Sequence, residues 1–567
     1  MSQNNKKSDN SEYKVRFMPI GGLGEVGMNC MIVDLNGERI MIDCGVTFPD
    51  VDAFGVDLFM ADWVDELQHG LSGVFITHGH EDHIGAVPYL VRDFIERGMQ
   101  VPIYGTPLAL SMIEHKLREH NLLKRAELFE VKPRQEYQHG SFTFELINVN
   151  HSIPDAVALV FNTPLGAIIH TGDWRIDHTP IGGEPIDLAR FSEYGDEGVF
   201  CMLGDSTNVM TPGTSMSESE VAGHLRRAID EAPGRVVVSM FSSNLWRVQA
   251  LLDIAHGLGR KVMTMGRSLS NNIAMGRQNG YLKLGSDDLI IEPYDLDNYP
   301  PEEILVICTG SQGETRAALT QMAYGERRQM QLEPGDRVIL SARVIPGNEI
   351  KIGRMIDAMR RLGVEIITPK DAPIHTTGHA YREEMRTLLA LVRPTYFVPV
   401  HGTSRMMLAH AKLAQDAGAR DTRVLHNGDV LEVSEAGMEV VDQRVLGRQF
   451  VDGSSVCSAA NSVLRARRRL ARAGVVVVAL ELDVVAGELL ADPEIVQIGA
   501  WDADEEPGVH EQVFDGVVAA LEKLSRKEMK DTEQVREAAR LSVRRLIRKE
   551  HDRKPIIEVV VIEVDES

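Results

Sequence analysis

Residues 76–85, ITHGHEDHIG, put three histidines and two carboxylates into six consecutive positions directly after an apolar, strand-like run. A fold that contains this segment must end a buried strand in a tight polar loop and find a use for His78, His80, Glu81, Asp82 and His83 together. Neutral imidazole is a common metal ligand and carboxylates complete such sites, so a solvated loop competes with a metal nest. From a tight loop, His78 and His80 can both face one ion, while Asp82 and His83, pointing elsewhere, can face a second. Two neighbouring ions need more ligands, and candidates stand at the ends of later strand-like runs: His151 in NVNHS, Asp173 in HTGDW and His401 in PVHG. A single HxH is weak, but HxHxDH followed by His and Asp at later strand ends favours the metal reading. His170 ends a strand near Asp173 and is a candidate to brace a ligand from behind. The remaining histidines, His139 and His410 among them, fit surface helices and loops.

The chain around these residues reads as α/β. YKVRFMPIGGLGEVGMNCMIVDLNGERIMIDCG alternates like antiparallel strands joined at Asn36-Gly37, a favoured tight-turn dipeptide. Its GGLGEVG piece lacks the GxGxxG-then-helix order of a dinucleotide loop. SGVFIT, SFTFELINVNH and ALVFNTPLGAIIHTGDW are further strands with polar ends, the layout of a sheet whose site lies beyond the strand ends. From residue 216 the strands GRVVVSMF, RKVMTMG, EILVICTGS, DRVILSAR and VEIITP alternate with helical stretches, which predicts a parallel, Rossmann-like sheet. The pattern divides into a polar disordered tail at 1–12, a first core part at 13–215, an inserted domain at 216–370, a return to the core at 371–450, and a linker with a small α+β domain at 451–567.

At 567 residues the chain is long enough for several cores. Its start has no apolar signal segment, and no stretch offers the about 18 apolar residues of a membrane span, so a cytoplasmic protein without membrane contact is expected. Five scattered cysteines without a CxxC pair read as reduced, buried thiols. A formal net charge of -23 argues against a broad nucleic-acid surface, yet leaves room for a local groove where metal ions carry the positive charge.

HGHEDH, with Asp43 in MIDCG, His151 and Asp173, resembles the metallo-β-lactamase superfamily. The insertion between Asp173 and His401 resembles its β-CASP nuclease branch, and GDSTN, FSSN, CTGSQGE, IPGNE and TTGHA together resemble the bacterial ribonuclease J family over about residues 13–450. The resemblance implies an αββα sandwich with an inserted Rossmann-like parallel-sheet β-CASP domain and a small C-terminal α+β domain. It implies two divalent ions per subunit, zinc first and manganese or magnesium as alternatives. His78, His80 and His151 would hold one ion, Asp82, His83 and His401 the other, with Asp173 bridging and Asp43 fixing the histidine loop. Of His375 and His379, the 22-residue spacing to His401 selects His379 as the branch's extra histidine, which leaves His375 as a substrate contact. Asn244 of FSSN, Gly313 of CTGSQGE and Thr377 of TTGHA join it as substrate-binding candidates. Arg343 stands where a small hydroxyl residue is expected, and a phosphate contact and a tolerated surface change both remain open.

The implied activity is 5'-to-3' exonuclease and endonuclease cleavage of single-stranded RNA in RNA maturation and mRNA decay, by a homodimer or tetramer that joins RNA-degradation assemblies. Paired divalent ions suit in-line phosphodiester hydrolysis, with Asp82 or Asp173 orienting the nucleophile. His379, oriented by Asp205, is the candidate acid for the leaving 3'-oxygen. CTGSQGETRAAL reads as a strand, a turn and a helix start, so Ser311, Gln312 and free backbone N–H groups are expected to form a pocket for a 5'-monophosphate. The basic runs at 465–473 and 540–554 read as solvated helix faces, oligomer contacts or a track for an RNA backbone. The rival readings are a DNA-directed nuclease of the same core, a small-molecule metallo-hydrolase, and a binding module without catalysis.

Overall fold

The computed structural model describes residues 13–49, 55–345, 347–453, 455–458, 461–503, 506–551 and 554–564; the tail expected at 1–12 lies outside them. The chain forms two compact units, residues 1–50 with 58–448, and residues 51–57 with 449–567.

In the larger unit two mixed sheets face each other. One has eight strands in the order Gly437–Gln443, Asp429–Ser434, Val15–Gly21, Cys30–Leu35, Glu38–Ile42, Gly73–Phe75, Pro102–Gly105 and Glu127–Glu130. The other has seven, running Asp421–Thr422, Tyr396–Val400, Val199–Asp205, Gly166–His170, Val157–Thr163, Phe142–Asn148 and Glu136–His139. Phe17, Val33, Ile42 and Phe75 from the first sheet meet Phe144, Leu159, Phe161 and Val398 from the second in one buried layer. Asp429–Ser434 shows why such strands form: its alternate residues are buried, which suits a sheet with one dry face. The Asn36-Gly37 turn is as the sequence predicts, with both residues at positive φ (54° and 96°) as a two-residue hairpin turn requires. A second core, with Trp174, Phe191, Leu388 and Phe397, joins the outer face of the seven-stranded sheet to the helices Leu188–Glu197, Arg382–Val392 and Ser404–Asp416. This is the expected sandwich.

The insertion is a six-stranded sheet in the order Ile290–Ile291, Lys261–Met265, Ile304–Cys308, Val236–Ser239, Arg337–Leu340 and Glu365–Ile367, with every pairing parallel. The strands Val236–Ser239, Ile304–Cys308 and Arg337–Leu340 are buried at every position, as a parallel sheet covered on both faces demands. One expectation fails here. The strand ending at Cys308 is followed by a loop, and the helix begins only at Ala318, so Ser311 and Gln312 do not sit at a helix start. Four of the cysteines are buried and Cys457 is partly so; all five are free thiols.

The smaller unit has Val475–Asp483 paired with Glu494–Ile498 on one side and, in parallel, with Ile556–Val564 on the other. Val476, Val478, Leu480 and Leu482 pack against Val513, Val517, Val535, Val543 and Ile547 of the helices Pro507–Leu521 and Thr532–His551. No described helix is long and apolar enough to cross a membrane.

Candidate metal centre

The histidine loop follows Gly73–Phe75 and leads into the short helix Glu81–Ile84. Close packing fixes it: a Cβ on Gly45 would lie 1.7 Å from the Asp82 carbonyl oxygen. Asp43, at a positive φ of 57°, receives the Thr77 amide and hydroxyl at 2.8 and 2.9 Å and the His83 Nδ1–H at 2.7 Å. Such a backbone conformation is costly for a non-glycine residue, and His401 shares it at 51°. Asp173 arrives on the turn after Gly166–His170. Gly172 in that turn has φ 56°, and a Cβ there would come within 2.7 Å of the Val157 carbonyl oxygen, so only glycine fits.

Two clusters result. His78 Nε2 and His151 Nε2 each lie 3.0 Å from His80 Nδ1. Asp82 Oδ2 lies 3.6 Å from His83 Nε2 and 3.4 Å from His401 Nε2. Asp173 Oδ2 stands between them, 3.8 Å from His78 and His151, 3.3 Å from His83 and 3.7 Å from His401. Both clusters have the ligand types and compactness to hold a metal ion, as does a third, overlapping group of Asp173, Asp205, His379 and His401.

The hydrogen bonds around the rings test that fit. His151 Nδ1–H donates to the Gly378 carbonyl at 2.6 Å, and His83 Nδ1–H to Asp43. Thr77 Oγ1 gives its hydrogen to Asp43 and so accepts from His78 Nδ1–H at 3.0 Å. Thr207 Oγ1 gives its hydrogen to Asp205 at 2.7 Å and accepts from His401 Nδ1–H at 2.6 Å. With their far nitrogens committed, His78 and His151 turn Nε2 lone pairs on the first cluster, which is repulsive without a cation and ligating with one. Burial keeps His78 and His151 neutral by lowering their pKa values well below the ordinary one, and it brings His80 down to about 4. For His83 and His401 burial works the same way, but carboxylates led by Asp173 outweigh it and raise both pKa values well above normal. A group of carboxylates that retains protons on its neighbours is a seat for positive charge.

Beside the second cluster, His379 Nδ1 lies 2.8 Å from Asp205 Oδ2 and 3.9 Å from Asp173 Oδ2. Burial opposes charge on His379, yet Asp205 and Asp173 raise its pKa. The substrate candidates are spread along the seam with the inserted domain. Arg343 Nη1 donates to Asn208 Oδ1 at 3.1 Å, and Asn208 Nδ2 donates to Thr377 Oγ1 at 2.8 Å. Gln312 is occupied: its amide donates to the Arg343 carbonyl and accepts from the Ile345 amide, both at 2.9 Å. Ser311 is buried next to it, and Gly313, at φ 71°, packs against Lys351. Asn244 caps the helix Leu245–Leu258 by accepting from the Arg247 amide. Arg247 is buried, paired with Glu218 at 2.8 Å, and faces His375 Nδ1 at 3.5 Å; burial and that guanidinium push His375 down to about 3.

Asn29, Thr77, Thr207 and Asn208 were not singled out by sequence. Asn29 Nδ2 lies 3.0 Å from His83 Nε2 and donates to the Asp82 carbonyl at 3.2 Å. The last two sit inside GDSTN, where only the aspartate stood out. His170 accepts the Gly172 amide at 3.1 Å and so braces the turn that carries Asp173. His139 and His410 are buried, against the surface placement expected: His139 bonds Tyr104 and Ser72, and His410 bonds Ser206 under Phe397.

Comparison with known proteins agrees with this layout. Residues 38–225 match the beta-lactamase superfamily domain, and residues 372–425 the Zn-dependent metallo-hydrolase RNA specificity domain. Residues 233–359 match the ribonuclease J beta-CASP domain and residues 462–564 the ribonuclease J C-terminal domain. Ribonuclease J of Helicobacter pylori is 35% identical over 557 residues, a match that covers 97% of this chain and 80% of that protein. The chain belongs to the ribonuclease J family. Ribonuclease J 1 of Streptococcus pyogenes is 38% identical with 86% of each chain covered, and ribonuclease J of Sinorhizobium meliloti 36% identical with 97% of each covered. A crystal structure of an Enterococcus faecalis protein of unknown function, 16% identical, has a similar fold with TM-score 0.51, covering 74% of this chain and 99% of that one. As a ribonuclease J family member the chain is a metal-dependent ribonuclease, a hydrolase that binds RNA.

Proposed function

We propose that this ribonuclease hydrolyses RNA at a two-ion centre, from the 5' end in the 5'-to-3' direction and also internally, with a preference for 5'-monophosphate ends. The observation that carries the two-ion reading is Asp173 Oδ2, which stands within 3.8 Å of ring nitrogens from both histidine clusters. His78, His80 and His151 would hold one ion, Asp82, His83 and His401 the other, and Asp173 both. Bound there, the ions supply the Lewis acidity that activates water and clamps the oxygens of an in-line displacement.

The chain's own groups do the rest. Asp82 and Asp173 orient the attacking water. Asp205 and Asp173 favour the protonated form of His379, whose Nδ1–H is donated to Asp205 and whose second proton, at Nε2, is delivered to the leaving 3'-oxygen. Asp43 and Thr77 keep the His78 and His83 rings in the ligating tautomer.

For the 5' end, support comes from how the inserted domain meets the core. Gln312 ties the loop carrying Ser311 and Gly313 to the segment carrying Arg343, and Arg343 reaches Asn208 beside Thr377. Ser311, Arg343 and His375 along this seam suit a single phosphate, with Thr377 near the reacting end, and a triphosphate would shift the scissile bond out of register. Zinc as the ion, the cytoplasm as the compartment and a homodimer as the assembly belong to the same reading.

The test compares initial rates on one unstructured RNA bearing a 5'-monophosphate, 5'-triphosphate or 5'-hydroxyl, and on DNA of the same sequence, with wild type and Ser311→Ala. The expected order is monophosphate first, with the preference weakened in the variant and DNA uncut. Equal rates on all three RNA ends, or a preference unchanged in Ser311→Ala, would overturn the 5'-end reading.

A further inference from the structure

We propose that the helix Ser462–Ala473 of the smaller unit is an auxiliary binding site for the RNA backbone, separate from the metal centre. Its sequence, SVLRARRRLARA, holds five arginines and no acidic residue, in a chain with 60 basic and 83 acidic residues. At 3.6 residues per turn, Arg465, Arg468, Arg469 and Arg472 fall within an arc of about 100° and span about 10 Å of helix. All four are exposed. Arg467 points away from that arc and is consumed by Asp452 at 2.9 Å. Among the described residues no carboxylate pairs with Arg465, Arg469 or Arg472.

Arginines interleaved with glutamates look different in the same unit. On Thr532–His551, Arg536 pairs with Glu533 and Arg540 with Glu537 one turn away. Leaving like charges side by side destabilises a helix, so Arg465, Arg469 and Arg472 on one face are costly without an anionic partner. The choice of arginine narrows that partner, because the guanidinium fork matches phosphate oxygens and stacks on bases. An anionic membrane is the competing polyanion. Leu464 and Ala473 are buried within the unit, which leaves Val463 and Leu470 as the large apolar groups exposed on this helix, too few to anchor it in a bilayer. RNA, the substrate class of the family, is the partner that remains. The site rests on the ribonuclease reading and adds a second grip to it.

The experiment uses the full chain carrying Arg465→Gln, Arg469→Gln and Arg472→Gln together, read against wild type. Binding to a fluorescent single-stranded RNA of about 30 nucleotides is measured with chelator present over a range of salt, where three lost phosphate contacts lower the slope of log K against log salt by about 2. The inference expects that smaller slope and an affinity at low salt reduced by a factor of ten or more. It also expects an unchanged rate on a short oligonucleotide that reaches only the metal centre. Unchanged affinity and slope would overturn it. So would a loss of binding traced by sedimentation to a changed oligomeric state, or a variant that loses binding to phosphatidylserine vesicles while keeping its RNA affinity. Wild type that hydrolyses no RNA would instead refute the functional reading, so the two failures are distinguishable.

Discussion

His379 and His83 are both buried histidines with raised pKa values, but they answer to different partners. Nδ1 of each is spent on a carboxylate, Asp205 for His379 and Asp43 for His83, yet only His83 directs Nε2 at both Asp82 and Asp173. His379→Ala is therefore expected to retain both metal ions and to lose hydrolysis by a factor on the order of 10² or more, the effect of removing a general acid. His83→Ala should lose metal and activity together. Metal analysis of the two purified variants beside their rates checks this, and a fall of metal content in His379→Ala would make that residue a ligand. Asn29→Ala should weaken metal affinity roughly 10- to 100-fold, measured by titration of the metal-free protein, since the amide holds Asp82 in place through its carbonyl and Oδ2. The ligand candidates were legible because HGHEDH is local and His151, Asp173 and His401 follow strand-like runs. Asn29 was not, because it meets Asp82 across 53 positions, and Thr207 meets His401 across 194. His410 deceived for another reason. Helical periodicity places it on the Ser404–Asp416 helix but says nothing of Ser206, whose hydroxyl gives it a partner in the interior.

Between elements, Asp155 links the core to the inserted domain: its carboxylate accepts the Leu108 amide at 2.8 Å at the start of Pro107–Glu119 and the Tyr281 hydroxyl at 2.9 Å just beyond Arg267–Gln278. Its Oδ1 and Thr106 Oγ1 are buried, and among the described residues neither has a hydrogen bond of good geometry. Burial, partly offset by those hydrogen bonds, raises its pKa from 3.8 to about 6. The folded protein thus holds this proton more tightly than the unfolded chain, so the stability contributed is full below about pH 4 and is lost as pH rises through 6. The shift corresponds to at most about 3 kcal/mol. Asp155→Asn cannot titrate, so the melting temperature of wild type should fall relative to that of the variant between pH 5 and pH 8. A constant difference across that range would contradict it. The alternating and fully apolar strands were readable from their periods, and the Asn-Gly turn from its chemistry. The loop between Cys308 and Ala318 was not, since TGSQGE has the composition of a helix-opening turn, while the hydrogen bonds of Gln312 to Arg343 and Ile345 that tie the loop down come from residues more than 30 positions away.

For the molecule as a whole, the order of sandwich, inserted parallel sheet, return to the sandwich and terminal α+β domain was legible because each part has its own rhythm of apolar residues. What brings His401 back beside Asp82 is the pairing of Tyr396–Val400 with Val199–Asp205, a contact between strands on either side of the insertion that no local pattern announces. The same closure makes the centre a staple across the unit, so removal of metal by a chelator should lower the melting temperature as well as stop hydrolysis, and readdition of zinc or manganese should restore both. The most direct test of the shared centre is Asp173→Ala, with bound metal and RNA hydrolysis measured on the same preparation as wild type. Wild type is expected to hold two ions per chain and to cleave RNA, and the variant to lose metal from both clusters and to fall in rate by a factor on the order of 10³ or more. A variant that cleaves RNA at the wild-type rate, or wild type that cleaves undiminished after its metal is stripped, would contradict the account.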